Sequence, residues 1–589
     1  MKTKKKIILF AFLCGPLLQA YAAPLPSPAE AADIQQQQQV IREQQRQKQF
    51  QQNMMPDVNV RLEQPETSEV MRKLPQDESP CFAIKQIKLD GNQAELFQFA
   101  LNTAIYRSKF KSGMCLGGKG VNYIMNLAQN ALIERGYTTS RILASPQDLS
   151  KGELVLTMIP GRIHEIRYNL DNANQTHVGR IRHIQNEFPV KSGDILNLRD
   201  LEQGLENLKR VPTAEADIQI VPAEAPDESD VVITWVQRKI PLRLSFNMDD
   251  SGSHATGRYQ GGVTLSVDNP LGLSDLFYVN YNHDLGSKDS VFDGEGNKTG
   301  SGTHGYAMHY SVPFGNWLLA YNQNYYRYHQ AIAGYNQNYD YNGSSENMDL
   351  GLTRLLYRNS HRKIDVSARI WRRKSHNYID DAEIEVQRRH TAGWALGLNH
   401  REYIGNAILN LGAGYKRGTG ADNSLHAVEE EFGEGMSRME IIFLDASLFK
   451  PFSLGKYNFS FDTSFHGQWN KTPLTTQDQI SIGGRYTVRG FDGELTLMGE
   501  QGWYWNNNLN WQFLPGHQAY LGLDVGHITG RNSEIQLGKT LAGTVLGLKG
   551  QFRAGGNWYY DVFMGKPLYK PQYFHTDRTT FGFNLNYSI

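Results

Sequence analysis

Residues 581–589 read Phe-Gly-Phe-Asn-Leu-Asn-Tyr-Ser-Ile, an unbroken alternation of apolar or aromatic side chains with small or polar ones. Successive side chains of a β-strand point to opposite faces, so this strand would have one apolar and one polar face. In a soluble sheet it would be a half-buried edge, whereas in an outer-membrane barrel it must pair with the first strand, because hydrocarbon leaves no water for an open edge. The apolar face would consist of Phe581, Phe583, Leu585, Tyr587 and Ile589.

The same alternation recurs throughout the region C-terminal to residue 240. Segments 242–249, 306–314, 409–415 and 457–469 each place apolar or aromatic residues at alternate positions. A soluble β-sandwich would bury these faces against opposing strands, whereas a membrane barrel turns them to lipid and lines its lumen with polar side chains. Residues 240–589 suffice for about 14 to 18 tilted strands. The repetition favours a transmembrane β-barrel of antiparallel strands, with a soluble sandwich as the alternative.

The amino-acid composition argues against several classes of function. The 589 residues include 60 basic and 60 acidic side chains, and this zero net charge argues against nucleic acid, whose binding requires a basic excess. A mean hydropathy of −0.51 excludes a bundle of transmembrane helices but not a barrel, which is apolar only at alternate positions. Motifs for a nucleophile elbow, a zinc protease or a phosphate loop are absent from the sequence. We predict a protein that is not an enzyme, needs no cofactor and acts by binding and moving something.

The first 22 residues have the layout of a secretory signal peptide. Four lysines occur among residues 1–6, an apolar run covers residues 7–18, and a small-x-small cleavage site follows at residues 20–22. The apolar run is shorter than the ~20 residues that a membrane-spanning helix requires. An exported chain with lipid-facing strands is predicted to reside in the outer membrane of a Gram-negative bacterium.

Glutamine dominates residues 23–55, which include Gln35, Arg42, Glu43 and Arg46. These residue types favour a helix, but no apolar stripe is present to dock that helix on a core. It must therefore lie in a polar setting, either disordered in solution or inside a polar cavity such as a barrel lumen. Residues 56–77 contain three prolines and no periodicity, which predicts a linker.

Two small mixed α+β domains are predicted between the linker and the barrel, at residues 78–162 and 163–239. In the first, the pattern predicts a strand, two helices and two strands, at 82–89, 96–104, 121–132, 142–143 and 154–159. The second repeats this order, with helices near 178–184 and 198–208 and strands at 216–221 and 231–236. A repeated unit of this size indicates a modular binding arm.

Cys81 and Cys115 are the two cysteines left once the signal peptide is removed. In an oxidising periplasm they can form a disulfide, which would stabilise the first domain by about 3 to 4 kcal/mol in the chain-entropy model. Two unpaired buried thiols are the alternative. Neither cysteine has a second cysteine or histidine at ligand spacing, so no metal site is predicted.

Several motifs resemble those of two-partner secretion transporters, the outer-membrane family that exports haemolysins, filamentous haemagglutinin-like adhesins and contact-dependent growth inhibition toxins. Segment 136–161, with Gly-Tyr at its start and Gln-Asp-Leu at 147–149, resembles the end of the family's first polypeptide-transport-associated (POTRA) domain. Residues 268–272, Asp-Asn-Pro-Leu-Gly, resemble an early barrel hairpin. The lid motif of the family is matched by four consecutive residues, Val488, Arg489, Gly490 and Phe491. The resemblance is strongest to the CdiB type, whose members secrete growth inhibition toxins.

This resemblance implies a barrel of sixteen antiparallel strands, two periplasmic POTRA domains and an N-terminal helix that plugs the lumen. It also implies an outside loop folded back into the barrel, with Arg489 near its tip. The family partner of that arginine is the aspartate of a D-x-G strand motif, matched here by Asp524 and Gly526. Strand parity agrees, because Leu523 and Val525 would face lipid and leave Asp524 to the lumen. An arginine in a surface turn is the alternative interpretation of Arg489.

The implied function is export, without ATP, of an unfolded exoprotein such as a growth inhibition toxin, a haemolysin or an adhesin. The POTRA domains would bind the N-terminal secretion domain of this large partner, and the barrel would sit in outer-membrane lipid as a monomer. Three other classes remain possible: a barrel-insertion machine for outer-membrane proteins, a passive porin and a soluble secreted adhesin.

Overall fold

A computed structural model describes residues 28–54, 58–63, 73–75, 77–169, 184–333 and 335–589. The predicted signal peptide, residues 1–22, lies outside the described residues, as do most of the predicted linker and of the helix expected near 178–184. The glutamine-rich segment forms helix α1, Pro28–Met54. None of the described helices is long and apolar enough to cross a membrane.

The first periplasmic domain is a three-stranded sheet packed on two helices. Its elements are β1 Phe82–Ile84, β2 Gln86–Gly91, α2 Gln98–Ser108, β3 Met114–Leu116, α3 Gly118–Glu134, β4 Arg141–Leu143 and β5 Glu153–Ile159. The sheet order is β2-β5-β4, and β1 pairs separately with β3. The single strand predicted at 82–89 is wrong, because its first part leaves the main sheet to pair with β3, which the sequence pattern did not predict. A disulfide joins Cys81 to Cys115 beside this small ladder.

The second domain repeats the three-stranded sheet. Its elements are β6 Arg162–Tyr168, α4 Ile184–Glu187, α5 Leu198–Lys209, β7 Ala214–Pro222 and β8 Glu228–Gln237, with sheet order β6-β8-β7. The Asn197 side chain caps α5 by accepting a hydrogen bond from the Arg199 backbone N–H. The core around Leu205 and Trp235 also contains Val60, which belongs to the segment predicted as a linker. Residues 58–63 are thus packed against this domain.

The remainder of the chain forms the barrel. Its strands, in chain order, are β9 Leu242–Asp249, β10 Tyr259–Asp268, β11 Leu276–Gly286, β12 Val291–Phe292, β13 Lys298–Thr299, β14 Gly302–Phe314, β15 Trp317–Ala333, β16 Asn338–Arg358, β17 Arg362–Ile379, β18 Ala382–Glu383, β19 Arg389–Ile404, β20 Ala407–Thr419, β21 Glu440–Leu454, β22 Tyr457–Asn470, β23 Ile480–Ile482, β24 Leu497–Gly499, β25 Gln501–Leu514, β26 His517–Thr529, β27 Thr540–Arg553, β28 Asn557–Tyr569 and β29 Thr580–Ser588. Short 3₁₀ helices occupy Ala94–Phe97, Leu149–Lys151, Glu385–Gln387, Val428–Phe432, Thr476–Asp478 and Arg531–Ile535.

Sixteen of these strands close into one antiparallel barrel. The other five, β12, β13, β18, β23 and β24, are strands of two or three residues in the loops. The last strand, β29, pairs with the first, β9, over the residues from Asn584↔Asp249 to Ser588↔Ser245. Along β9 the side chains of Leu244, Phe246 and Met248 are exposed on the outer wall, whereas Ser245 and Asn247 line the lumen. The predicted sixteen-stranded barrel preceded by two α+β domains is therefore confirmed, and a sandwich is excluded.

Contacts with the second POTRA domain identify the periplasmic end of the barrel. In the β10–β11 turn, the Asp268 carbonyl accepts a hydrogen bond from the Gln237 side chain at 3.3 Å. At the β14–β15 turn, the Gly315 backbone N–H donates to the Asn186 carbonyl at 2.6 Å. Long connections such as 420–439 and 471–500 therefore belong to the opposite, extracellular end.

Candidate functional site

Helix α1 lies inside the barrel lumen and is held there mainly by polar contacts. Gln39 donates a 2.6 Å hydrogen bond to the Tyr326 hydroxyl, and its own side-chain oxygen accepts one from Ser253 at 3.3 Å. Near the other end of the helix, Phe50 meets Tyr278 edge to face at 5.9 Å between ring centroids. A cavity of about 1550 Å³ remains along the helix and the lumen wall. The described part of α1 thus occupies the lumen and leaves a polar-lined cavity beside it.

The predicted plug residues have different partners. Glu43 and Arg46 pair with each other in a bidentate ion pair of 2.8 Å, and Arg42 donates to the Gly493 carbonyl of the 471–500 connection. Gln35 lies in α1, but its side chain is outside the described set. The helix has no continuous apolar stripe, as predicted, but two isolated apolar side chains do make contacts: Ile41 is buried and Phe50 packs on Tyr278.

Residues 471–500, which we name the lid, connect β22 to β25 and fold back into the barrel. The lid strands β23 and β24 pair with each other over three residues, which satisfies backbone polar groups of both strands inside the lumen. An apolar cluster then docks the lid on the barrel wall and on the neighbouring loop. Its members are Ile480, Ile482, Val488, Phe491, Leu497, Ile528, Leu541 and Phe574.

Arg489 and Asp524 form the polar attachment of the lid. The guanidinium donates to both carboxylate oxygens, at 2.6 Å from Nε and 2.7 Å from Nη2, and the Arg489 backbone N–H adds a third bond at 3.0 Å. The Asp524 side chain is only 1% exposed and that of Arg489 15%. A bidentate, charge-assisted pair of this kind is strong and directional when water is largely excluded.

Glycines on the wall let the lid come this close. A Cβ at Gly526 of the D-x-G motif would lie 2.8 Å from the Val488 side chain, and one at Gly543 would lie 1.9 Å from the Arg489 carbonyl. Gly490 itself has φ +99°, a conformation that side chains other than glycine rarely adopt. The motif glycines therefore serve close backbone approach.

Other lid attachments were not predicted. Asp478 at the start of the lid accepts from Arg373 on β17 and Lys416 on β20, at 3.2 and 3.1 Å. Arg485 bridges the barrel seam, donating to Asp250 after β9 and to the Phe583 carbonyl of β29. Strand parity alone indicates that some of these side chains face the lumen, but no local pattern names their partners. Among the residues that the structure describes, no three His, Cys, Asp or Glu side chains are grouped to hold a metal ion.

Replacing a wall glycine that faces the lid by alanine is expected to displace the lid. In Gly543→Ala the new Cβ would overlap the Arg489 carbonyl, and such overpacking costs about 1–3 kcal/mol. We expect higher ion conductance of the purified barrel in planar bilayers. Gly351→Ala is the matched control, because its Cβ would have no heavy-atom neighbour closer than 3.9 Å. Equal conductance of the two variants would contradict the close-approach role.

Comparisons with known proteins agree with this architecture of two small domains, a lumen helix, a lid and a barrel. The family model "Haemolysin secretion/activation protein ShlB/FhaC/HecB" matches residues 227–550, and POTRA models match residues 82–161 and 162–222. The chain belongs to this family. Its members are transporters of the outer membrane, and their POTRA domains lie in the periplasm.

Individual relatives match between about 70% and nearly all of the chain. The "Outer membrane transporter CdiB-2" of Burkholderia pseudomallei is 36% identical over 99% of both chains. The "Hemolysin transporter protein ShlB" of Serratia marcescens is 25% identical over 71% of both chains. Among solved structures, CdiB from Acinetobacter baumannii superposes with a TM-score of 0.79 at 29% identity, covering 96% of this chain and all of that one. The predicted family, location and transport class are confirmed, and the barrel-insertion alternative is not better supported.

Proposed function

We propose that this transporter exports one large exoprotein of the contact-dependent growth inhibition class, and that it does so as a monomer surrounded by outer-membrane lipid. The full-length similarity to the CdiB-2 transporter supports this substrate class over haemolysins, whose transporters match a shorter part of the chain. The single observation that carries the export mechanism is the polar helix α1, which lies in the lumen and is bonded through Arg42 to the lid that folds in from the extracellular end.

Substrate docking begins in the periplasm. The outer strands of the two POTRA sheets, such as β7, have a single strand neighbour each in the described sheets. An unfolded exoprotein can add a strand to such an edge, because main-chain hydrogen bonds give affinity with little demand on sequence. Tandem domains then hold the chain near the barrel mouth at high effective concentration.

Plug and lid then vacate the lumen. Water can replace the hydrogen bonds of the Gln39 and Arg42 side chains, so their loss costs little net free energy. Among the α1 side chains that the structure describes, Ile41 is buried and Phe50 is half-buried, and full burial of such a side chain is worth about 1.5–3 kcal/mol. A helix is about 10–12 Å across, so its departure leaves room for an extended polypeptide. Folding of the exoprotein outside makes return unfavourable, and this chain performs no catalytic step.

Gene deletion in the bacterium that makes the protein tests this function. We expect one very large protein to vanish from the cell surface and culture medium, and complementation to restore it. The abundance of other outer-membrane proteins should stay unchanged. A broad loss of outer-membrane proteins would instead identify a barrel-insertion machine.

A further inference from the structure

Arg358, at the periplasmic end of β16, is the centre of a buried charge cluster that the transport mechanism above does not use. Its guanidinium donates to Glu202 at 3.1 Å, to Gln203 at 3.2 Å and to Glu206 at 2.9 Å, all on α5 of the second POTRA domain. Lys363, the second residue of β17, donates to the other oxygen of Glu206 at 2.9 Å. The Arg358 side chain is 6% exposed and that of Glu202 is fully buried.

Residues 58–63, which connect the plug to the POTRA domains, run through this cluster. The Val60 carbonyl accepts a hydrogen bond from Arg358, while the Val60 and Leu62 backbone N–H groups donate to Glu206 and Glu202, each at 3.0 Å. The segment is also held on the barrel, because the Tyr403 hydroxyl donates to the Asn59 side chain at 2.5 Å. One guanidinium therefore joins three bodies: the barrel, the POTRA helix and the segment that leads to the plug. We call this arrangement the linker clamp.

Side-chain packing and charge both favour the closed clamp. Val60 is buried in the POTRA core, and Val58 and Leu62 pack at its margin, so the segment inserts every second side chain as an added strand would. Burial alone would raise the pKa of the Glu206 carboxyl, but Lys363 and Arg358 outweigh it and hold this pKa below its usual range. Replacing Arg358 would leave Glu202 with Arg199 and Glu206 with Lys363 as their cationic partners, so both buried carboxylates would lose part of their charge compensation, which is destabilising.

We propose that the linker clamp is the latch that keeps the plug in the lumen until the second POTRA domain moves. This inference rests on the proposed export function and extends it to regulation. The plug is tethered through residues 58–63, so it has little room to leave while Arg358 and α5 hold that segment at the barrel mouth. A substrate that tilts or displaces α5 withdraws Glu202 and Glu206 from Arg358, and the same event frees the backbone of Val60. Arg358 is thus a positioning residue that couples docking to opening.

Two readouts on the full-length protein test the latch. The first is trypsin cleavage after Arg61, whose rate follows local opening of the segment and is scored by the fragment that begins at Leu62. The second is conductance in planar bilayers. Arg358→Gln keeps a polar side chain but shortens it and removes the charge and the fork, and we expect it to raise both the cleavage rate and the open fraction about tenfold or more.

Arg354→Gln is the matched control, because Arg354 lies four residues before Arg358 on β16 and stacks on Trp317 instead. It should behave as the parent does in both assays. Glu206→Gln provides a second route to clamp opening if Arg358→Gln fails to give a heat-modifiable, folded barrel. If Arg358→Gln and Glu206→Gln both fold and trypsin cleaves them at the rate of the parent, the proposal that the clamp holds residues 58–63 is overturned.

Failure of the latch and failure of the plug are distinguishable. Arg358→Gln could speed up cleavage without raising conductance, while deletion of the plug does raise conductance. That result would overturn the coupling between clamp and plug, but the proposed role of the plug would stand. If plug deletion also leaves conductance unchanged, the proposed plug role is wrong and the latch falls with it. In the plug-deleted protein, Arg358→Gln should add no further conductance.

Discussion

Deletion of residues 35–52 is expected to raise the ion conductance of the purified protein several-fold. The deleted stretch contains the contacts of Gln39, Ile41, Arg42 and Phe50 with the wall and the lid. Because a helix of about 10–12 Å diameter would leave the lumen, water and ions would fill the space. Single-channel recording in planar bilayers measures the change.

The barrel should remain folded in this variant, since its strands satisfy their own hydrogen bonds and close without the helix. Heat-modifiable gel migration checks that point. Gln49→Ala is the matched control, because the hydrogen bond that Gln49 donates is to Asn53 within the same helix. A folded deletion variant with the conductance of the parent would mean that α1 does not close the channel.

Arg489→Ala and Asp524→Ala are each expected to reduce exoprotein secretion strongly, and the double variant should be no worse than either single one. Either single change leaves a buried charge without its partner, a loss of about 3–5 kcal/mol for a buried ion pair. Removing both charges leaves no orphan, so the pair behaves as one unit in a double-mutant cycle. Secreted exoprotein and bilayer conductance should report the same order of effects.

Arg553→Ala serves as the control for these variants, since this arginine sits at the end of β27 and bonds to the nearby Asn557. It should secrete as the parent does. Losses that add up in the Arg489→Ala, Asp524→Ala double variant would show that the two side chains act separately, and the lid would then depend mainly on its apolar cluster.

Much of this architecture is predictable because membrane strands carry a strict period of two. The alternation along β9 and β29 predicts which side chains meet lipid, and hydrocarbon then requires closure. The family motifs named Arg489 and Asp524, and strand parity placed Asp524 in the lumen. In the first POTRA domain the same reasoning joined β1 and β2 into one strand, because a three-residue pairing with β3 leaves no periodic signal.

The remaining features depend on contacts between residues far apart in sequence. Arg358 and Glu206 are separated by 152 residues, and Arg485 and Asp250 by 235. No local pattern links such partners, since their proximity follows from barrel closure and from how the POTRA domain docks. The apolar contacts of Ile41 and Phe50 were missed for the same reason, because two isolated residues form no stripe.

The fold class, the compartment and the family can be predicted from the amino-acid sequence alone, since they follow from local periodicity, an export signal and short motifs. The side chains that hold the lid, the glycines that allow its close approach, and the contacts of residues 58–63 with the barrel and the second POTRA domain are visible only in the three-dimensional structure. These contacts are hydrogen bonds and ion pairs of 2.6 to 3.2 Å, which require three-dimensional proximity that alternation along one strand does not encode.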